Sequence, residues 1–125
     1  MADQANGTDH LREDAMVALT RLFIEALNAR DHAAARALVS DDAEFRGPNG
    51  SAIRGQDGAD RLLDAAADVD LIVVRTATEE IEDDGGVARV TLPVREIISK
   101  DDLFRTTVFE VRDGAIAAYE TLTND

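Results

Sequence analysis

The chain has 125 residues and a net charge of −13, because it carries 26 acidic side chains against 13 basic ones. Its length suits one domain, and its charge excludes a typical nucleic-acid partner, since phosphate binding needs a basic patch. It contains no cysteine, no apolar run of about 18 residues and no secretory signal, so we expect a cytoplasmic protein without disulfides, thiolate chemistry or membrane contact.

Helical spacing of apolar residues predicts three amphipathic helices in the first half of the chain. We expect residues 1–7 to be disordered and Thr8 to be the N-cap of a long helix that ends near Asn28. Asp31 is the predicted cap of a second, short helix, and a third runs from about Asp57 to Ala67. The positions expected to face the core are Leu11, Ala15, Leu19, Leu22, Phe23, Ala26 and Leu27, then Ala34, Ala35, Leu38 and Val39, then Leu62, Leu63 and Ala66.

Two short extended segments are predicted between the second and third helices. Asp41-Asp42 is expected to end the second helix, and Ala43–Arg46 and Ser51–Arg54 flank a turn at Gly47-Pro48-Asn49-Gly50. Phe45 alternates with its polar neighbours, so we expect it in the core. The polar residues Asp42, Glu44 and Arg46 then face outward; the opposite orientation would carry Glu44 or Arg46 inward.

The second half is rich in Val, Ile and Thr and predicts long strands. Leu71–Ile81 and Val87–Ser99 are separated by a turn at Asp83-Asp84-Gly85-Gly86, and Leu103–Leu122 folds back on itself around Arg112-Asp113-Gly114. Asp-Gly between alternating apolar runs is a strong hairpin signal. Helices followed by a separate antiparallel sheet indicate an α+β domain with the helices on one face.

A tight turn at residues 99–102 would place residues whose numbers sum to 201 opposite each other. This register would pair Val90 with Val111, Leu92 with Phe109, Val94 with Thr107, and Glu96 with Arg105, on a face that is apolar with one polar end. On the other face Pro93 cannot donate to a ladder, which indicates an edge position or a bulge there.

The order of these elements, with FIEALNARDHAAARALVSDDAEFRGPNG near the start and VFEVRDGAIAAYE near the end, resembles the nuclear-transport-factor-2-like superfamily. The SnoaL-like, ketosteroid-isomerase-like branch is the most similar, and the resemblance covers residues 8–125. It implies a cone-shaped α+β barrel: three helices on a curved antiparallel sheet of four long strands plus short strands, enclosing one pocket. It also implies a homodimer packed through the sheet. Such proteins include isomerases, polyketide cyclases, epoxide hydrolases, dehydratases and non-catalytic modules, so the fold alone does not determine the activity.

The best-defined catalytic positions of that family do not carry their usual residues here. Where ketosteroid isomerases have a tyrosine, a carboxylate base and an acidic donor, this sequence has Phe23, Gly47 and Thr107. Where limonene-epoxide-hydrolase-like members have an aspartate after the last strand's motif, it has Thr121. We therefore expect steroid isomerisation by that machinery to be absent.

Glu96, Arg105 and Tyr119 are the residues that could carry chemistry at the polar end of the inner face. A partly desolvated Glu96 could act as a base and Arg105 could stabilise an oxyanion, but a structural ion pair at the rim of the cone is the simpler alternative. Tyr119 could donate a hydrogen bond to a ligand carbonyl or epoxide oxygen, or be an aromatic core residue. His10 and His32 have no metal-binding spacing, so we expect no metal and no cofactor. Phe104 is expected in the core or pocket lining, and the predicted substrate-binding residues are Phe23, Phe45, Leu92, Val94, Thr107, Phe109 and Thr121.

Two functions are consistent with the sequence. The first is a cofactor-free enzyme that acts on a small apolar metabolite by acid–base chemistry, as a cyclase, isomerase or epoxide hydrolase. The second is a ligand-binding or dimerisation module without catalysis. A cavity of several hundred Å³ around a desolvated Glu96 would favour the enzyme, and side chains filling the cone would favour the module.

Overall fold

In the computed structural model the described residues are 2–46, 52–84, 86–98 and 100–123. They form three helices that cover one face of a curled, seven-stranded sheet, so the predicted α+β class and cone-like architecture are confirmed. In chain order the elements are α1 Ala2–Ala29, α2 His32–Leu38, β1 Val39–Arg46, β2 Ala52–Arg54, α3 Gln56–Asp68, β3 Ile72–Arg75, β4 Glu80–Asp84, β5 Val87–Ile98, β6 Asp101–Arg112 and β7 Ala115–Thr123.

The sheet is mixed and not purely antiparallel. Its strand order is β2-β1-β7-β6-β5-β3, and β4 also pairs with β5. All described pairs are antiparallel except β1 with β7, which run parallel. This parallel pair brings the segment between α2 and α3 beside the last strand, a long-range contact that no local pattern specifies.

Helix α1 begins before the predicted position and presents a slightly different face to the core. It spans Ala2–Ala29, so Thr8 lies inside the helix and is not its N-cap. Phe23 and Leu27 are fully buried as expected, but Leu22 is exposed, because it lies beside the inward stripe rather than on it. The domain boundary at residue 8 stays a prediction, and the burial of Leu11 falls outside the described side chains.

Helix α2 is capped as predicted but ends earlier. The Asp31 carboxylate accepts a hydrogen bond from the backbone N–H of Ala34 at 3.1 Å. The helix stops at Leu38, so Asp41-Asp42 lies within β1 and does not end the helix. Phe45 is buried, as the alternation in this strand predicted. The predicted turn at residues 47–50 lies outside the described residues.

The predicted strand Leu71–Ile81 is two strands, β3 and β4, which pair with different halves of β5. Pro93 lies between the two halves, and its carbonyl accepts a hydrogen bond from the Thr76 N–H at 3.1 Å. Carbonyl and nitrogen of one strand residue point to the same side, so the missing donor of Pro93 faces the gap. The expectation of an edge-like position for this proline is confirmed.

The β5–β6 register differs from the predicted one by two residues. Val90 pairs with Phe109, Leu92 with Thr107, and Glu96 with Leu103, because the strands close at Ile98 and Asp101. The predicted opposition of Glu96 and Arg105 is therefore wrong. A shift of two leaves every side chain on its predicted face, since side chains alternate with a period of two.

The hairpin between β6 and β7 has the predicted two-residue turn. Asp113 and Gly114 both have positive φ, 53° and 76°, as a type I′ turn requires. Phe104, by contrast, is not in the core: it lies on the outer face of the sheet and is 62% exposed. Even-numbered residues of β6 face away from the helices, and Phe104 follows that alternation.

Candidate functional site

The polar end of the inner face contains an ion pair between β5 and β6. Glu96 and Arg105 are diagonal neighbours across the two strands, and Arg105 Nε lies 3.4 Å from Glu96 Oε1. The side chains are 14% and 24% exposed, respectively. The pair is thus mostly removed from water, and the structure brings these two predicted residues together.

The environment of Glu96 favours its neutral form. Burial raises the pKa of this carboxyl above its usual value, and the charge and hydrogen bond of Arg105 only partly offset that effect. A carboxylate whose pKa is raised is a stronger base than an ordinary surface glutamate. Glu96 can therefore take a proton from a carbon acid or a water held beside it.

Four aromatic rings fill the middle of the cone. Phe23 from α1 lies within 5.6–6.1 Å, between ring centroids, of Phe45, Phe109 and Tyr119. Phe109 and Tyr119 meet edge to face at 5.2 Å, a favoured arrangement of aromatic pairs. Leu92 and Val94 are also fully buried beneath the helices. These predicted substrate-binding residues mainly pack against one another.

The hydroxyl of Tyr119 lies at the polar end of this aromatic cluster. The Thr121 hydroxyl donates to the Tyr119 oxygen at 3.4 Å, which leaves the phenolic proton free to donate elsewhere. Burial raises the pKa of Tyr119 and outweighs the hydrogen bond from Thr121, which lowers it; the Glu96 charge raises the pKa and Thr107 lowers it, both to a lesser extent. Tyr119 is therefore a protonated donor at neutral pH.

Thr107 lies beside Tyr119 on the neighbouring strand, since Thr107 pairs with Thr121 across β6 and β7. Its hydroxyl is buried and has no hydrogen-bond partner of good geometry among the described residues, although it is near enough to Tyr119 to favour the phenolate. A buried hydroxyl without a partner is costly. A ligand oxygen or a water at this point would satisfy it.

A cavity of about 180 Å³ opens between α3 and the β1–β7 edge of the sheet. Gly58 makes this close approach possible, because a Cβ there would lie 2.5 Å from Cδ2 of the Phe45 ring. Glu96 and Arg105 are not among the residues that line it, and it is smaller than the several hundred Å³ that we expected. Its described lining is Phe45, Arg46, Ile53, Gly58, Arg61, Leu62, Ala65 and Tyr119.

Tyr119 connects the two parts of the site. Its side chain lines the cavity, its oxygen accepts a hydrogen bond from Thr121, and the charge of Glu96 raises its pKa. A larger depression of about 390 Å³ lies at the other end of β6, against Met16, Leu19 and the Asp113-Gly114 turn. It contains none of the predicted site residues.

The sequence pattern did not single out the cavity wall on α3, although a signal was present. Gly58, Arg61, Leu62 and Ala65 recur at helical spacing and so share one face of α3. Arg46 pairs with Glu44 at 3.2 Å and also reaches the cavity. Phe45 points into the core, as expected, and Arg46 still reaches the mouth of the cavity. The expectation that Arg46 faces only outward when Phe45 is buried is therefore too simple.

His32 is tied to α3 and does not approach the site. Its Nδ1 lies 2.9 Å from Oδ1 of Asp60, and its Nε2 lies 3.3 Å from Oδ1 of Asp64. Within the described part of the chain, no group of three or more His, Asp or Glu side chains could hold a metal ion. The side chain of His10 lies outside the described residues.

Glu79 forms a buried ionic contact that the sequence analysis missed. It accepts hydrogen bonds from Arg21 Nε at 3.1 Å and from Arg75 Nη1 at 2.8 Å. The segment between β3 and β4 is thereby fastened to α1. Glu79 lies between β3 and β4 and belongs to neither strand, so its burial depends on contact with α1 and not on strand alternation.

The sequence matches the SnoaL-like domain family over residues 20–119. No curated protein matches it at a significant level. Within the described residues, none of the helices is long and apolar enough to span a bilayer.

Solved structures with the same fold carry several different functional descriptions. A ketosteroid isomerase candidate from Kribbella flavida has a TM-score of 0.71 and 22% identity, covering 90% of this chain and 79% of that one. A polyketide cyclase candidate from Xanthomonas campestris pv. campestris has a TM-score of 0.70 and 20% identity, covering 89% and 91%. An epoxide hydrolase from M. tuberculosis, described as LEH-like, has a TM-score of 0.63 and 23% identity, covering 86% and 81%. At these identities the likeness shows the fold alone.

Proposed function

The chain belongs to the SnoaL-like domain family, and on that premise we propose that it binds a small, largely apolar metabolite beside Tyr119, which lines the cavity between α3 and the sheet, and transforms it by cofactor-free acid–base chemistry. The observation that carries this proposal is the pairing of a desolvated carboxylate, Glu96, with a protonated buried phenol, Tyr119, on one inner face. Glu96 can take a proton from a ligand, and Tyr119 can donate a hydrogen bond to the same ligand. The cytoplasmic location expected from the sequence stays a prediction.

In this proposal Glu96 is the base. It would remove a proton from a carbon next to a carbonyl, or from a water that opens an epoxide, and the proton would stay on the carboxyl group until the product accepts it. Its raised pKa matches this task, since a base is most effective when its pKa approaches the working pH.

Tyr119 and Arg105 would stabilise the charge that develops on the substrate oxygen. The Tyr119 oxygen accepts a hydrogen bond from Thr121, so its phenolic proton would be available to a ligand oxygen. Arg105 uses Nε for Glu96, so its terminal nitrogens can face a ligand. Donors placed in a desolvated site stabilise an oxyanion far more than they would in water.

The test is to find a ligand first and then measure turnover. A metabolite library screened by thermal shift would detect binding, because a ligand at 100 times its Kd stabilises by about 2.7 kcal/mol. On a compound that is turned over, Glu96→Gln should lower kcat by about 100- to 10,000-fold. Glu110→Gln, a like change on the outer face of β6, is the matched control. Equal turnover by Glu96→Gln and wild type would remove Glu96 from the mechanism.

A second candidate is a binding module without catalysis. It is favoured by the aromatic packing of Phe23, Phe45, Phe109 and Tyr119, which occupies the centre of the cone. It is also favoured by Phe23 and Thr107, which stand where related isomerases carry catalytic residues; Gly47, the third such position, lies outside the described residues. Ligands that bind tightly and are recovered unchanged would support the module.

We also propose a homodimer through the sheet. Four exposed apolar residues, Ile72, Val74, Phe104 and Leu122, lie on its outer face and are called here the outer patch. Val74 and Phe104 are both paired with Arg95, so the patch runs across β3, β5 and β6. The Arg95–Asp102 ion pair lies among these apolar residues, and arginine beside exposed apolar side chains is common at protein–protein interfaces.

A further inference from the structure

The rim of the 180 Å³ cavity is basic, although the chain is strongly acidic. The chain has twice as many acidic as basic residues, yet the described lining contains Arg46 and Arg61 and no aspartate or glutamate. The rest of that lining is apolar apart from the Tyr119 hydroxyl. The cavity therefore combines an apolar body with a cationic edge.

Arg61 is the arginine of this rim that is free to bind a ligand. Arg46 is paired with Glu44 at 3.2 Å and with Glu120 at 3.6 Å. Arg61 forms no ion pair within 4 Å among the described residues, although Asp57 and Asp64 lie one turn away on α3.

Resting on the proposed function, we infer that the ligand of this cavity carries a carboxylate that binds Arg61, while its apolar body lies against Phe45, Leu62 and Tyr119. A guanidinium and a carboxylate match in charge and in hydrogen-bond geometry, and such pairs can be bidentate. Salt screens exposed charges beyond about 8 Å, so the distant parts of the acidic surface repel an anion in this cavity only weakly. At contact distance the charge of Arg61 therefore favours an anionic ligand.

The size of the cavity limits the ligand to a small molecule. A volume of 180 Å³ is about six times the share of one molecule in liquid water and below the ~300 Å³ of the smallest typical drug-sized sites. A single ring or a chain of about six carbons fills this volume, whereas a fused four-ring skeleton would extend out of it. The ligand class is thus a small monocyclic or short-chain carboxylic acid.

The experiment compares matched acids and amides. Benzoate with benzamide, and hexanoate with hexanamide, share an apolar body and differ in charge, and their Kd values can be measured by ligand-observed NMR. We expect each acid to bind about 2- to 5-fold more tightly than its amide, a small factor because Arg61 is exposed. Raising the salt concentration should reduce that preference.

Variants of the protein test whether Arg61 causes the preference for acids. Arg61→Gln should lower the affinity of the acids to that of the amides. Arg89→Gln makes the same charge change at an exposed position of β5 and should leave the preference for acids over amides unchanged. Ala65→Phe should fill the cavity and raise the Kd of all four probes. Circular dichroism confirms that each variant is folded.

The outcomes separate this inference from the proposed function. Acids and amides that bind equally, or equal losses in the Arg61→Gln and Arg89→Gln variants, would overturn the carboxylate inference. If binding were still lost in the Ala65→Phe variant, the cavity would remain the ligand site. Failure of all four probes to bind would count against both the inference and the site itself.

Discussion

Replacing Glu79 by glutamine tests how the segment between β3 and β4 is held to α1. The Glu79 side chain is only 1% exposed, and its two oxygens accept three hydrogen bonds from Arg21 and Arg75, at 2.8–3.4 Å. Glutamine keeps the shape of the side chain and removes its charge. The charge-assisted bonds are lost or weakened, and one amide N–H₂ must face a guanidinium.

The magnitude follows from the exposure of the partners. Breaking a fully buried ion pair costs about 3–5 kcal/mol, because a charge is left unpaired away from water. Here Arg21 and Arg75 are 49% and 38% exposed, so both can be hydrated again. We therefore expect a loss of about 2 kcal/mol, close to one charge-assisted hydrogen bond, and a Tm lower by roughly 6–10 °C.

Urea denaturation at pH 7 measures this loss directly. The control is Glu80→Gln, the same change one residue later on an exposed side chain, which should alter the free energy of unfolding by less than about 0.5 kcal/mol. Equal stability of Glu79→Gln and wild type would show that the contact of Glu79 with Arg21 and Arg75 does not stabilise the fold. Equal losses in the two variants would show that net charge and not the contact is responsible.

The pH dependence gives a second, independent check. Burial raises the pKa of Glu79, but hydrogen bonds from Arg21, the backbone and Arg75, with the charge of Arg21, together outweigh burial and leave it below its usual value. A depressed folded-state pKa contributes stability above the unfolded-state pKa, about 4.3, and that contribution is lost as the pH falls through the folded-state value. The gap between wild type and Glu79→Gln should therefore narrow below about pH 4, and a constant gap would contradict the charge contribution.

Four further outcomes are expected. Phe23→Ala should cost about 3–5 kcal/mol in urea denaturation, because it opens a void among four packed rings; a loss under about 1 kcal/mol would mean that the cluster collapses to fill it. Asp31→Ala removes the cap bond of α2 and should cost about 1 kcal/mol, and unchanged stability would show that the cap is replaced. Phe104→Ser should turn the proposed dimer into a monomer in sedimentation at micromolar concentration without lowering the stability of the subunit; a monomeric wild type would contradict the dimer. Because the pKa of Glu96 is raised, the acid limb of kcat for any substrate should fall at a pH above the usual glutamate value, near 4.3; a limb at or below that value would argue against Glu96 as the base.

Features that depend on neighbouring residues in the chain could be predicted from the sequence. The Asp31 cap and the Asp113-Gly114 turn form as expected, because each is a local hydrogen-bonding or backbone preference. The inward face of the long strands was also predicted. Glu96 and Arg105 meet at 3.4 Å although their register is shifted, since alternation is preserved by a shift of two.

Features that depend on distant partners were decided only by the tertiary structure. The length of the β5–β6 turn, the division of residues 71–81 between two strands, and the parallel pairing of β1 with β7 each reflect which segment a strand meets in space. The exposure of Phe104 follows from the same cause, because an apolar residue on a strand is buried only if something covers its face.

The candidate site divides in the same way. Alternation alone placed Tyr119 and Thr121 together, but the cavity beside them exists because Gly58 lets α3 approach Phe45 and brings Arg61 to its rim. Burial, and with it the pKa of Glu96 and Tyr119, is a property of the assembled cone. A sequence specifies which side chains can face inward, and only the packing of helix on sheet decides how much water remains around them.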